Sequence, residues 1–235
     1  MLMCVNSKGF DLGLGVNRLA PFLLKNLLLP LMQSVSMYFC HLNTSIRVIW
    51  VSSLLNLSAP SGGVQLVSSN TATQSSNPRT NSWAPKQITG MQHYMQTKAG
   101  DYLLAQEFSR WPPPPSPSPT TTTTTTSSPA LIQKPNNVLH ISLNPGFLRN
   151  NRQRHAPAPL RGIMTGVFKG PKHGAYTELY AGLGPDVKQG DFVIPWGRKG
   201  SVSEHVSKMV AGEDGKRSVS ARFYEWCEEQ VKPFM

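Results

Sequence analysis

Two short apolar runs decide most of what this chain can become. Residues 46–53 read IRVIWVSS and residues 137–143 read NVLHISL. Both are β-branched and aliphatic without polar alternation, the pattern of a strand covered on both faces. Between them, residues 91–110 (MQHYMQTKAGDYLLAQEFSR) place Tyr94, Lys98, Tyr102 and Leu103 at three- to four-residue spacing, which predicts a helix. A third apolar run, DFVIPW at 191–196, is followed by a closing helix at 218–230 (SVSARFYEWCEEQ). Strand and helix alternate, so the expected class is α/β with a parallel sheet.

At 235 residues, 39% of them hydrophobic, the chain is long enough for one domain with a real core. Two segments stand outside that core. Residues 58–82 are rich in Ser, Thr, Asn, Gly and Pro and read as a long low-complexity loop. Residues 111–129, WPPPPSPSPTTTTTTTSSP, have almost nothing to bury and are expected to be a disordered Pro/Thr insert. The expected organisation is therefore a single domain over 1–235 carrying both segments.

Residues 10–32 (FDLGLGVNRLAPFLLKNLLLPLM) carry leucines at helical spacing. The stretch Leu19 to Met32 is interrupted by Lys25 and Asn26, so a buried helix is expected rather than a membrane span, starting or kinked at Pro21. No basic region followed by a long apolar core opens the chain, and no signal peptide is expected. The three cysteines, Cys4, Cys40 and Cys227, are far apart and form no CxxC pair. Free thiols in a reducing, cytoplasmic setting are the simple reading, with no zinc site.

The formal net charge is +11, and its distribution is uneven. Asp11 is the only acid in the first hundred residues. None lies between Glu107 and Glu178, a stretch containing Arg110, Lys134, Arg149, Arg152, Arg154, Arg161, Lys169 and Lys172. Such a stretch can attract nucleic acid, but no regular basic helix or nucleic-acid motif accompanies it. A solvated basic surface is the preferred reading, and nucleic acid is not expected as a partner. Loss of an acidic N-terminal portion would also leave such an excess.

The candidate chemistry lies in Tyr94-Met95-Gln96-Thr97-Lys98. Tyrosine and lysine four apart share one helix face. A phenol has an unperturbed pKa of about 10, and a neighbouring ammonium favours the phenolate. Such a phenol can exchange a proton with an alcohol or carbonyl near neutral pH. Alone, YxxxK is a weak signal. Its context strengthens it: the first strand ends in Ser52-Ser53 and the second runs into Asn144-Pro145-Gly146, both at the strand edge where open α/β sheets bind ligands.

The order strand-Ser-Ser, YxxxK helix, strand-Pro-Gly resembles the short-chain dehydrogenase/reductase family, most closely its retinol-dehydrogenase-like members of filamentous fungi. The stretch GAYTELYAGLGPDVKQGDFVIPWGR, Gly174 to Arg198, is similar to the same subgroup. The resemblance implies an incomplete Rossmann-type doubly wound parallel sheet and interconversion of an alcohol and a carbonyl with NADP or NAD, NADP favoured. It implies Tyr94 as general acid/base and Lys98 as the group that lowers its pKa and holds the nicotinamide ribose. It implies Ser53, chosen over Ser52 by its distance from Trp50, as the group that orients the substrate carbonyl. Asn17 matches the asparagine that links the lysine to solvent, and Pro145 and Gly146 match the turn beside the nicotinamide. The implied partner is a small-molecule alcohol or carbonyl, and the oligomeric state is not implied.

Three departures accompany the resemblance. Asn150 stands where the family usually has a threonine, and the gap from Ser53 to Tyr94 looks longer than usual. The family's opening strand, TGxxxGxG loop and NNAG strand are not found where they belong. Gly9-Phe10-Asp11-Leu12-Gly13-Leu14-Gly15 fits GxxxGxG, but Asn6, Ser7 and Lys8 separate it from the preceding apolar residues and Asn17 follows too soon. It reads as the run-up to the asparagine helix. The expectation is an N-terminally truncated enzyme with impaired cofactor binding. The alternative is a catalytically inactive remnant or an incomplete gene model.

Overall fold

The computed structural model describes residues 12–38, 45–59, 64, 90–110, 138–149, 157–212 and 217–235. In chain order these form α1 (Leu12–Leu14), a π-helical turn (Gly15–Leu19), α2 (Ala20–Tyr38), β1 (Ile46–Val51), a 3-10 turn (Leu54–Ser58) and α3 (Gly90–Ser109). There follow β2 (Val138–Leu143), α4 (Ala158–Val167), α5 (Lys172–Leu183), β3 (Phe192–Ile194), β4 (Arg198–Lys199), α6 (Glu204–Ala211), α7 (Val219–Val231) and a 3-10 turn (Lys232–Phe234). The insert at 111–129 lies outside the described residues, as does the loop at 58–82 apart from residues 58, 59 and 64.

The strands stand in the order β1-β2-β3-β4. β1 and β2 are parallel and in register from Ile46↔Val138 to Val51↔Leu143. β3 is parallel to β2, and β4 turns back antiparallel. Alternate β2 side chains serve opposite faces. Ile141 and Leu143 join Ala181 of α5 and Val193 of β3 in one buried cluster. His140 faces the other layer, stacked on Phe108 with ring centroids 5.0 Å apart. There Trp50 of β1, Phe22 of α2, Phe108 of α3 and Phe223 of α7 share the larger core. Helices thus cover both faces of a mostly parallel sheet, the Rossmann-type doubly wound arrangement expected from the sequence.

Three expectations need correction. Of the two readings at Pro21, the start needs correction: the leucine-rich helix begins at Leu12 and runs on through Pro21. Proline breaks a helix because it lacks the N–H that bonds four residues back. Here the π-helical turn widens the backbone just before Pro21, and the Asn17 carbonyl accepts instead from Arg18 Nη1 at 2.6 Å. That helix is also not buried all round. Leu14, Leu19 and Phe22 enter the core, whereas Leu24, Leu27, Leu28 and Leu31 are exposed. Leucines encircle it, but the sheet covers one face only. By length and composition Leu12–Ser36 could cross a membrane, a test that a soluble core helix also passes. Finally, the third strand is shorter than DFVIPW. Pro195 ends it, and Trp196 and Gly197, at φ 69° and 63°, turn the chain into β4.

Lys25 supplies a test of the packing. Its amine is buried, 3.5 Å above the Phe108 ring. Burial pushes its pKa down from 10.5 to about 7, so desolvation outweighs the attraction of the ring. Between those values the unfolded chain binds a proton that the folded chain does not, and stability rises with pH across that window. Lys25→Met removes the penalty. Its thermal unfolding midpoint should exceed that of the parent at pH 7, and the gain should shrink towards pH 10. A methionine variant less stable than the parent at pH 7 would refute the buried-amine account.

Candidate active site

Parallel strands carry their C-terminal ends to one edge, where the chain leaves each strand for a turn or helix. Leu54 lies just beyond β1, Asn144, Pro145 and Gly146 beyond β2, and Ile194, Pro195 and Trp196 at the end of β3. These residues, with Phe147, Leu148, Val167, Lys169 and Arg198, line one cavity of about 290 Å³. Gly146 is required in the turn: its φ is +96°, and a Cβ there would come within 2.8 Å of Pro195 Cγ. Asn144 steadies the same turn by accepting from the Gly146 N–H at 3.1 Å. Trp196 takes a left-handed backbone that a bulky side chain rarely adopts, and it does so at the cavity wall.

The second half of the site is built by α3 packing across the end of β1. Ser52 is buried; its hydroxyl donates to the Lys98 carbonyl at 2.6 Å and accepts from Asn56 Nδ2 at 3.2 Å. Ser53, half-buried, caps the 3-10 turn by accepting from the Leu55 N–H at 3.3 Å. Its own O–H is left as a donor. Of the two serines, Ser52 is committed to holding strand and helix together and Ser53 faces outward.

Lys98 Nζ donates to the Val51 carbonyl at 2.7 Å and pairs with Asp101 Oδ2 at 3.2 Å. It stands 6.0 Å from the centroid of the Tyr94 ring, one helical turn earlier. Asp101 in turn pairs with Arg18, both buried. Burial pushes the Arg18 pKa down and that of Asp101 up, against the attraction between them. Arg18 also holds the Asn17 carbonyl, so Asn17 is tied to Lys98 through Arg18 and Asp101.

The structure therefore sets Lys98 against the end of β1, with Tyr94 one helical turn before it, Ser53 just beyond the strand and Asn17 linked to Lys98 from behind. Pro145 and Gly146 stand at the neighbouring strand end, beside Leu54, in the cavity. Tyr94 and Ser53 are not part of that cavity's lining. Sequence reasoning missed Arg18 and Asp101, although an acid three residues after Lys98 was a signal for a same-face pair. It also missed Phe147, Val167, Lys169, Trp196 and Arg198 as cavity walls. Gly13 and Gly15 lie in helical backbone, which removes them from any phosphate-cradling loop. Among the described residues no cluster of His, Cys, Asp and Glu could hold a metal ion, and Cys227 is a buried free thiol.

No family model matches the chain. A short-chain dehydrogenase/reductase of Phomopsis amygdali is 27% identical over 236 residues, spanning 97% of this chain and 60% of its own length. One from Armillaria gallica is 28% identical over 233 residues, with 98% of this chain and 60% of the relative covered. A second Armillaria gallica protein of the same description is 37% identical over 101 residues, 42% of this chain. Among solved structures, an uncharacterized protein from Mycobacterium paratuberculosis superposes with a TM-score of 0.54 at 19% identity, over 99% of this chain and 63% of that one. The chain spans about 60% of the length of the first two relatives.

Proposed function

The chain belongs to the short-chain dehydrogenase/reductase family, and from that premise we propose that its site interconverts an alcohol and a carbonyl with NADP or NAD. The observation that supports this reading is Lys98 bound to the last carbonyl of β1, with Tyr94 one helical turn before it, while Ser53 follows the same strand and Pro145 and Gly146 follow the next. A bound nicotinamide would supply or accept the hydride. Tyr94 would pass its phenolic proton to the carbonyl oxygen. Lys98, anchored by the Val51 carbonyl and Asp101, would keep its cation one helical turn from the Tyr94 ring. Ser53 would donate its O–H to the same oxygen and orient it.

The residues fit one end of the cofactor. The turn at Pro145 and Gly146, closed against Pro195, would stand beside the nicotinamide, and Lys98 would offer its cation to a ribose hydroxyl. A pyrophosphate is ordinarily held by a glycine-rich turn opening a helix. Among the described residues none does so. Calorimetric titration of the 235-residue chain with NADPH and NADH should therefore give affinity weaker than micromolar, as roughly expected when that turn makes no contact. Supplying an N-terminal strand and glycine-rich loop should tighten it. Micromolar binding by the chain as it stands would contradict the impaired-cofactor reading. An inactive remnant is the second reading, since none of the described residues forms such a turn.

A further inference from the structure

Among the described residues, α4 has none that is buried. Its apolar side chains nevertheless fall on one face: Leu160, Ile163, Met164 and Val167 recur at the spacing of a helical stripe. Leu160, Ile163 and Val167 are 44%, 65% and 64% exposed. Val167 also lines the cavity, with Phe147 and Trp196, 54% and 53% exposed, at the same mouth. The stripe therefore runs along the helix and ends at the opening of the candidate active site.

Cations frame this face. Arg149, Arg161, Lys169, Lys172 and Arg198 are exposed, and no acid occurs between Glu107 and Glu178. An exposed apolar stripe beside basic side chains is the pattern of a helix lying in a membrane interface, apolar residues among the acyl chains and cations at the headgroups. We propose that this face docks the protein on an anionic lipid surface, with α4 in the plane of the interface and the cavity mouth opening onto it.

Other occupants fit less well. A nucleic acid would satisfy the cations and offer nothing to Ile163 and Val167. A second copy would bring the same cations face to face across a two-fold axis, in a chain of net charge +11. The exposed leucines of α2 lack this framing: Lys25, the one cation of that helix, and Arg18 in the turn before it are both buried.

The test is co-sedimentation of the 235-residue chain with vesicles of phosphatidylcholine alone or mixed with phosphatidylserine. The mixed vesicles should pellet the protein at least about tenfold better than neutral ones, and high salt should weaken the binding. The double variant Ile163→Glu/Val167→Glu removes only exposed side chains and should lose about tenfold in binding or more, with its circular dichroism unchanged. Lys169→Gln/Lys172→Gln should reduce the preference for phosphatidylserine while leaving residual apolar binding. The proposal fails if anionic vesicles do not pellet the protein, or if neither double variant changes the pelleting. It also fails if the protein sediments as a dimer that Ile163→Glu/Val167→Glu dissolves, which would assign the face to a second copy. None of these outcomes depends on turnover, so failure here is separable from failure of the oxidoreductase reading.

Discussion

Tyr94→Phe is expected to lower turnover by roughly 10²–10⁴-fold, the usual worth of a positioned general acid/base. The measurement needs a form of the protein that turns over a carbonyl compound with NADPH or NADH. The substitution keeps the aromatic ring and deletes the hydroxyl alone, so the helix and its contacts should survive. Lys98 holds the Val51 carbonyl and Asp101 rather than the tyrosine oxygen. Its anchoring should therefore be unaffected, and substrate KM should move far less than kcat. Retention of most of the activity would remove Tyr94 from the chemistry.

The largest effect on stability is expected at the buried pair behind the site. Asp101→Ala leaves Arg18 fully buried with its charge uncompensated. Breaking a buried ion pair from one side costs about 3–5 kcal/mol. For a chain of this size that lowers the unfolding midpoint by roughly 6–20 °C. Arg18→Leu/Asp101→Leu removes both charges together and should recover much of the loss, because the desolvation penalty of each ion goes with it. Calorimetric scans of the single and double variants distinguish the cases. A double variant as unstable as the single one would mean that the pair contributes through its shape and hydrogen bonds rather than through charge balance.

β2 was legible because a strand covered on both faces has little choice of residue, and VLHISL shows it; IRVIWV carries the same apolar pattern, although in the structure only its Trp50 is buried. The YxxxK helix was legible because its polar and apolar residues keep helical spacing. α4 and α5 were not, since Gly162, Gly166, Gly174 and Gly182 lower helix propensity and imitate a loop. β4 contains two charged residues and carries no strand pattern at all. At the site, local order put Ser53, Pro145 and Gly146 just beyond strand ends and Tyr94 and Lys98 one turn apart on a helix, and their roles came from the family resemblance. The Arg18–Asp101 pair could not, because its members lie 83 residues apart and an arginine on a leucine-rich helix gives no hint of its partner. The widened turn at Asn17 was hidden for a related reason: Pro21 signals a break in the backbone without saying how the break is absorbed.

The account rests on the Ser53, Tyr94 and Lys98 cluster acting on a carbonyl held beside Pro145 and Gly146. The most direct measurement uses a form of the protein that binds NADPH, a carbonyl compound and NADPH deuterated at both C4 positions. The account predicts deuterium on the carbinol carbon of the product, delivered by the parent and almost abolished in Tyr94→Phe. A protein that binds NADPH yet delivers no deuterium, or delivers it equally well without the Tyr94 hydroxyl, would contradict it.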